Sequence, residues 1–191
     1  MRPSAAPVRF IVLGCLLLVV AATLGACGSD EPQPVPSPHT YVNEERHFAM
    51  LLDARFEDVK ILQDPEAALK VGFFDKDGAA SGVTPDGMWI VVVDKKANAD
   101  RSATERAREL GKLLTELEAG APKGVVWHKT TIGGLPAAWT EDVMPINKYK
   151  RITCLVVGRR NVYVIGGAAT PETWATSRSI FTATFDSFKE I

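Results

Sequence analysis

From Phe10 to Ala26 the chain carries seventeen residues in which Thr23 is the one polar side chain, and this run stops at Cys27. Arg2 and Arg9 stand before it, and no acidic residue occurs ahead of Asp30. A positive start, an apolar middle and small residues before a cut are the layout of a secretory leader, not of a piece of globular core. Seventeen residues lie at the short edge of a bilayer-spanning helix, so an uncleaved anchor is the competing expectation. Either way, residues 1–26 are withdrawn from the fold. What remains is 165 residues, with about 150 from Tyr41 onward, enough for one domain with a single core.

Leu24-Gly25-Ala26-Cys27 resembles the lipobox of bacterial lipoproteins. The resemblance implies cleavage between Ala26 and Cys27, with a diacylglyceryl group on the Cys27 thiol and palmitate-type acyl chains at the new terminus. A single acyl chain holds a protein on a membrane only marginally, whereas two or more hold it stably. The expected location is the cell envelope: the outer face of the plasma membrane or, with two membranes, the outer membrane facing the periplasm. Pro32, Pro34, Pro36 and Pro38 alternate with polar or small residues. Such spacing disfavours helix and favours extended chain, so residues 27–40 read as a lipidated cysteine and a tether. At about 3.1 Å per residue, residues 28–40 reach roughly 40 Å.

Charge and cysteine usage remove several classes of function. The chain has 22 basic and 23 acidic residues, and losing the two leader arginines leaves 20 against 23. No basic excess remains to draw a nucleic-acid partner. Cys15 departs with the leader and Cys27 is committed, so Cys154 is left without an intramolecular disulfide partner. Its neighbours Ile152 and Val156 predict an inert, buried thiol. His39, His47 and His128 lack metal-ligand spacing, and no nucleophile elbow, phosphate loop or dinucleotide fingerprint occurs. No enzyme activity, metal or cofactor is expected.

Within residues 41–191, Tyr41 to Asn43 and His47 to Asp53 read as an opening hairpin, with Phe48, Met50 and Leu52 alternating toward one face. Leu69 to Asp75 and Met88 to Asp94 are further strands, joined by turn-forming residues; 54–68 carry no assignable pattern. Ser102-Ala103-Thr104-Glu105 is a capping-box signature. It opens a helix with Ala103, Ala107, Leu110, Leu113, Leu114 and Leu117 on its apolar stripe and Gly120 as a C′ residue. Val125 to Thr131 and Leu135 to Met144 flank a tight Gly133-Gly134 turn. Lys150 to Val157 and Val162 to Ala168 flank another, with Gly166-Gly167 at a strand end. Thr170 as N-cap and Pro171 at the first helical position predict a closing helix bearing Trp174, Phe181, Phe185 and Phe188. Strands interrupted by one helix and closed by another are α+β, an antiparallel sheet flanked by helices.

In that order, "NEERHFAMLLD", "TTIGGLPAAW" and "VYVIGGAAT…FDSFKEI" resemble the PsbP-like αβα sandwich, shared by a photosystem II extrinsic protein, a Ran-binding protein and LpqN-type lipoproteins. The matching positions are Phe48, Thr131, Gly133, Pro136, Ala137, Tyr163 and Ser187-Phe188. The resemblance implies a non-catalytic module that binds or assembles partners, and it carries over no catalytic residue. The alternatives are a carrier of a small apolar ligand or lipid, and a hydrolase of unknown type. Two surfaces are candidates for a partner or ligand, each with a plainer alternative: Trp127 and Trp139 as an aromatic platform or as two residues packed under a helix, and Lys148, Lys150, Arg151, Arg159 and Arg160 as a basic cluster facing anionic head groups or as a solvated strand edge.

Overall fold

The computed structural model describes residues 38–56, 58–61, 67, 69–75, 86–94, 100–122, 124–145 and 147–191. The leader, the lipobox with Cys27 and the tether up to Ser37 lie outside the described residues, as does most of the turn expected between Asp75 and Gly87.

Among the described residues, ten strands form two antiparallel sheets. The smaller joins β1 (His39–Asn43), β2 (Phe48–Leu52) and β10 (Lys189–Glu190) in the order β1-β2-β10. The larger has the order β3-β4-β5-β9-β8-β7-β6, built from β3 (Asp58–Ile61), β4 (Leu69–Phe74), β5 (Gly87–Asp94), β6 (His128–Ile132), β7 (Leu135–Val143), β8 (Lys150–Val157) and β9 (Asn161–Ala169). Helix α1 (Ala103–Gly120) covers one face of the large sheet through Leu110, Leu113 and Leu114, which pack on Val91, Ala138, Leu155 and Val164. Helix α2 (Trp174–Ser187) and β2 cover the other, enclosing Phe73, Ile90, Cys154 and Ile165 with Phe48, Phe181 and Phe185. The α+β expectation, an antiparallel sheet with helices against its faces, describes this sandwich.

Several boundaries differ, each for a physical reason. β1 starts at His39, two residues ahead of the expected Tyr41, because Leu51 and Leu52 pair with Thr40 and His39. β3 is one strand inside the unassigned 54–68 stretch, a four-residue edge too short to show a period of two. The capping box forms as expected: the Glu105 N–H donates to Ser102 Oγ at 3.3 Å and the Ser102 N–H to Glu105 Oε2 at 2.8 Å. Ala103 and Ala107, however, face solvent, and Gly120 is the last helical residue, with Ala121 as an extended C-cap. α2 begins at Trp174 after a turn over 171–173. Thr170 still accepts the Thr173 N–H at 3.3 Å, so it caps that turn instead of the helix proper.

Gly166 and Gly167 sit inside β9, not at its end, and both are places of close approach. The Trp89 indole lies over Gly166, where a Cβ would come within 2.2 Å of it. On the opposite face, a Cβ on Gly167 would stand 2.5 Å from the Phe181 ring. Strand β9 is therefore thinned on both faces, once for a cross-strand indole and once for α2. The Gly133-Gly134 turn is as expected, with φ of +56° and +76°, the left-handed pair that a tight antiparallel hairpin requires.

Candidate functional site

Trp127 and Trp139 form no shared platform, and each packs against a different cluster. The β6–β7 register sets His128, not Trp127, opposite Trp139, and a one-residue offset turns a side chain to the other face. Trp127 packs against the cluster under α1, where its Nε1 is buried without a hydrogen-bonding partner among the described residues. Trp139 packs against the α2 cluster, and the His128 ring stacks on it at 4.5 Å. The basic cluster also divides. Lys148 precedes β8 and Arg159 follows it, so the strand separates them by roughly 25 Å. Arg151 is paired with Asp142 across the β7–β8 ladder.

Arg159 and Arg160 do meet other charged groups. Four chain segments converge at the end of the sandwich opposite the start of β1: the β1–β2 turn, the approach to α1, the β8–β9 turn and the residues around β10. They enclose a cleft of about 220 Å³ lined by His47, Asp100, Arg159, Arg160, Glu190 and Ile191. His47 has φ of +56°, and its carbonyl accepts the Ile191 N–H at 3.0 Å. Arg160 Nε donates to Asp100 Oδ1 at 2.6 Å; this bond holds the Asp100 carboxyl below the usual carboxylate range and raises the arginine.

The Glu190 carboxylate is used differently. It accepts the Arg159 N–H on both oxygens, at 2.9 and 2.8 Å, and the Tyr163 hydroxyl at 3.3 Å. Burial, the largest cause, pushes the Tyr163 phenol above its ordinary range and keeps it a neutral donor. Its single proton is shared with the Arg46 carbonyl, which lies at 3.1 Å. The Arg159 carbonyl in turn accepts the Arg101 N–H at 3.0 Å, so the Arg159 backbone is held at both its N–H and its C=O. Its exposed guanidinium makes no hydrogen bond or ion pair among the described residues. Arg159 and Arg160 stand out in the chain as adjacent charges, whereas His47, Asp100 and Glu190 lie far from them and nothing local marks their meeting.

Cys154 is buried on the α2 face, and desolvation pushes its thiol up to about 12. A thiol in that state offers almost no thiolate near neutral pH. Native protein with Cys154 as its sole unmodified thiol should resist a disulfide-exchange reagent and react only at the rate of unfolding. Prompt stoichiometric labelling would contradict this placement. Among the described residues, no group of three or more His, Cys, Asp or Glu could hold a metal, and no helix is long and apolar enough to cross a membrane.

No protein-family model matches the chain, and no curated protein matches its sequence. Solved structures do resemble it in shape. The solution structure of cyanobacterial PsbP (CyanoP) from Synechocystis sp. PCC 6803 superposes with a TM-score of 0.56 at 14% identity, covering 88% of this chain and 99% of that one. A crystal structure from Bacteroides thetaiotaomicron VPI-5482 gives 0.51 at 11% identity, over 81% of this chain and 49% of the other, so this chain spans about half of it. LpqN of Mycobacterium tuberculosis, described as involved in cell envelope biogenesis, gives 0.44 at 14% identity, over 83% and 86%. The architecture of this chain is thus the PsbP-like α+β fold.

Proposed function

We propose that the chain is an extracytoplasmic lipoprotein, anchored through lipid on Cys27, whose PsbP-like domain acts as a non-catalytic binding or assembly module in the cell envelope. The observation that carries this reading is Leu24-Gly25-Ala26-Cys27 at the end of a charged-then-apolar leader. Placement of β1 supports the tether: with the first strand starting at His39, residues 28–38 separate it from Cys27, a reach of about 34 Å when extended. An envelope protein is the partner that the anchored module would engage.

Detergent-phase partitioning of Cys27→Ser tests the anchor. The parent should enter the detergent phase and take up radiolabelled palmitate, while the variant should lose the label and either leave that phase or keep its leader. A variant that loses its leader yet still partitions with detergent would refute lipidation as the means of attachment.

A further inference from the structure

We propose that the cleft lined by His47, Asp100, Arg159, Arg160 and Glu190 is a binding site for a phosphate-type oxyanion, with the Arg159 guanidinium as its principal donor. The site is built from separate segments locked to one another: Ile191 N–H to the His47 carbonyl, Arg101 N–H to the Arg159 carbonyl, Arg159 N–H to Glu190, and Arg101 Nη1 to the Gly158 carbonyl at 3.1 Å. A guanidinium carried on a backbone fixed at both ends loses less freedom on binding than one on a loose loop. His47 is held in the left-handed region at φ +56°, a conformation that a non-glycine residue adopts at a cost and that clusters at functional positions.

The charges in the cleft divide into committed and uncommitted groups. Asp100 is ion-paired with Arg160 Nε, whereas Glu190, held by the Arg159 N–H and the Tyr163 hydroxyl, keeps its negative charge and acts on Arg160. Among the described residues, the Arg159 guanidinium and the His47 imidazole make no hydrogen bond or ion pair, although both lie near enough to Asp100 to favour its charged form, and Arg160 is hydrogen-bonded through Nε alone. Arg101 lies behind the β8–β9 turn, adding positive charge on that side. These donors come from two different segments, the β1–β2 turn and the β8–β9 turn, and so approach from more than one direction. A tetrahedral phosphoryl group presents oxygens in several directions, and an arginine fork grips two of them at once. A planar carboxylate would be met by the fork alone. A cleft of about 220 Å³ leaves room for a phosphate and part of its ester substituent. The inference does not depend on lipidation of Cys27.

Isothermal titration calorimetry on the full chain in uncharged detergent micelles tests the site, with inorganic phosphate, short-chain dihexanoyl phosphatidic acid and dihexanoyl phosphatidylcholine as probes. Saturable binding of inorganic phosphate is expected, weakened roughly tenfold or more in Arg159→Gln, because a charge-assisted contact is lost. Arg159→Lys, which keeps the charge without the fork, should fall between the two and covers any folding defect of the glutamine variant. Lys129→Gln, on edge strand β6 and outside the cleft lining, should bind like the parent. Tighter binding of the phosphatidic acid than of inorganic phosphate identifies a lipid headgroup; equal or weaker binding identifies a free phosphate. Absence of saturable binding by both anions, or equal affinity in parent and Arg159→Gln, overturns the proposal.

Discussion

Replacing Gly167 with alanine is expected to destabilise the domain by about 3 kcal/mol, at the upper end of the cost of overpacking a tight core. The added methyl would stand 2.5 to 2.7 Å from three atoms of the Phe181 ring. Phe181 is fully buried and packs near Phe56 and Trp174, so it has little room to turn aside. Helix α2 must then move off the sheet, or β9 must bend. For a domain of this size the loss corresponds to a fall in Tm on the order of 10 °C, readable by circular dichroism during heating. Coupling separates this cause from a general intolerance of β9: Phe181→Leu on the Gly167→Ala background should recover part of the loss, although it destabilises the parent. Strict additivity of the two substitutions would contradict the close approach.

Asp86→Ala should cost a similar amount by another route. Asp86 is 6% exposed and sits just before β5, against the start of α2. Its Oδ2 accepts the Ser177 hydroxyl at 2.5 Å, while Oδ1 accepts the Thr173 hydroxyl at 3.0 Å and the Thr170 N–H at 3.4 Å. Thr173, the α2 N-cap, makes no side-chain cap bond of its own. The carboxylate therefore ties the residue before β5 to the start of α2 through the Thr173 and Ser177 hydroxyls and the Thr170 N–H, placing negative charge at the positive end of the helix. Alanine removes these bonds and strands the fully buried Ser177 hydroxyl, for a loss of about 3 kcal/mol. Asp86→Asn retains an acceptor and should lose roughly 1 kcal/mol. Urea unfolding midpoints of the two variants check the ranking. Equal losses would show that the space Asp86 fills matters and its charge does not.

Neither position was legible as important in the sequence, and the reason is common to both. Gly166-Gly167 looks like punctuation at a strand end, since nothing local shows that an indole and a phenyl ring arrive from elsewhere to occupy the missing Cβ space. Asp86 looks like one more turn residue because its partners are more than eighty positions away. Features governed by local chemistry read well: the Ser102–Glu105 capping box, the left-handed Gly133-Gly134 turn, and the alternation of Phe48, Met50 and Leu52 in β2. Short edges did not. β10 is two residues long and exists because Lys189 and Glu190 meet Ala49 and Phe48.

The candidate site follows the same division. Arg159 and Arg160 stand out as adjacent charges, but the cleft needs His47, Asp100 and Glu190 from three other segments, and no spacing in the chain announces that meeting. Trp127 and Trp139 were legible as large aromatics near one hairpin. Their faces were not, because a single residue of register decides them, and the register came out with His128 opposite Trp139.

The most direct measurement is the intact mass of the mature protein's amino-terminal peptide, recovered from membranes of its native host. A peptide beginning at Cys27 and heavier than its sequence mass by a diacylglyceryl thioether is the predicted result. One that begins at Met1, or at an unmodified Cys27 in protein still bound to membrane, would contradict the lipid anchor on which the proposed role rests.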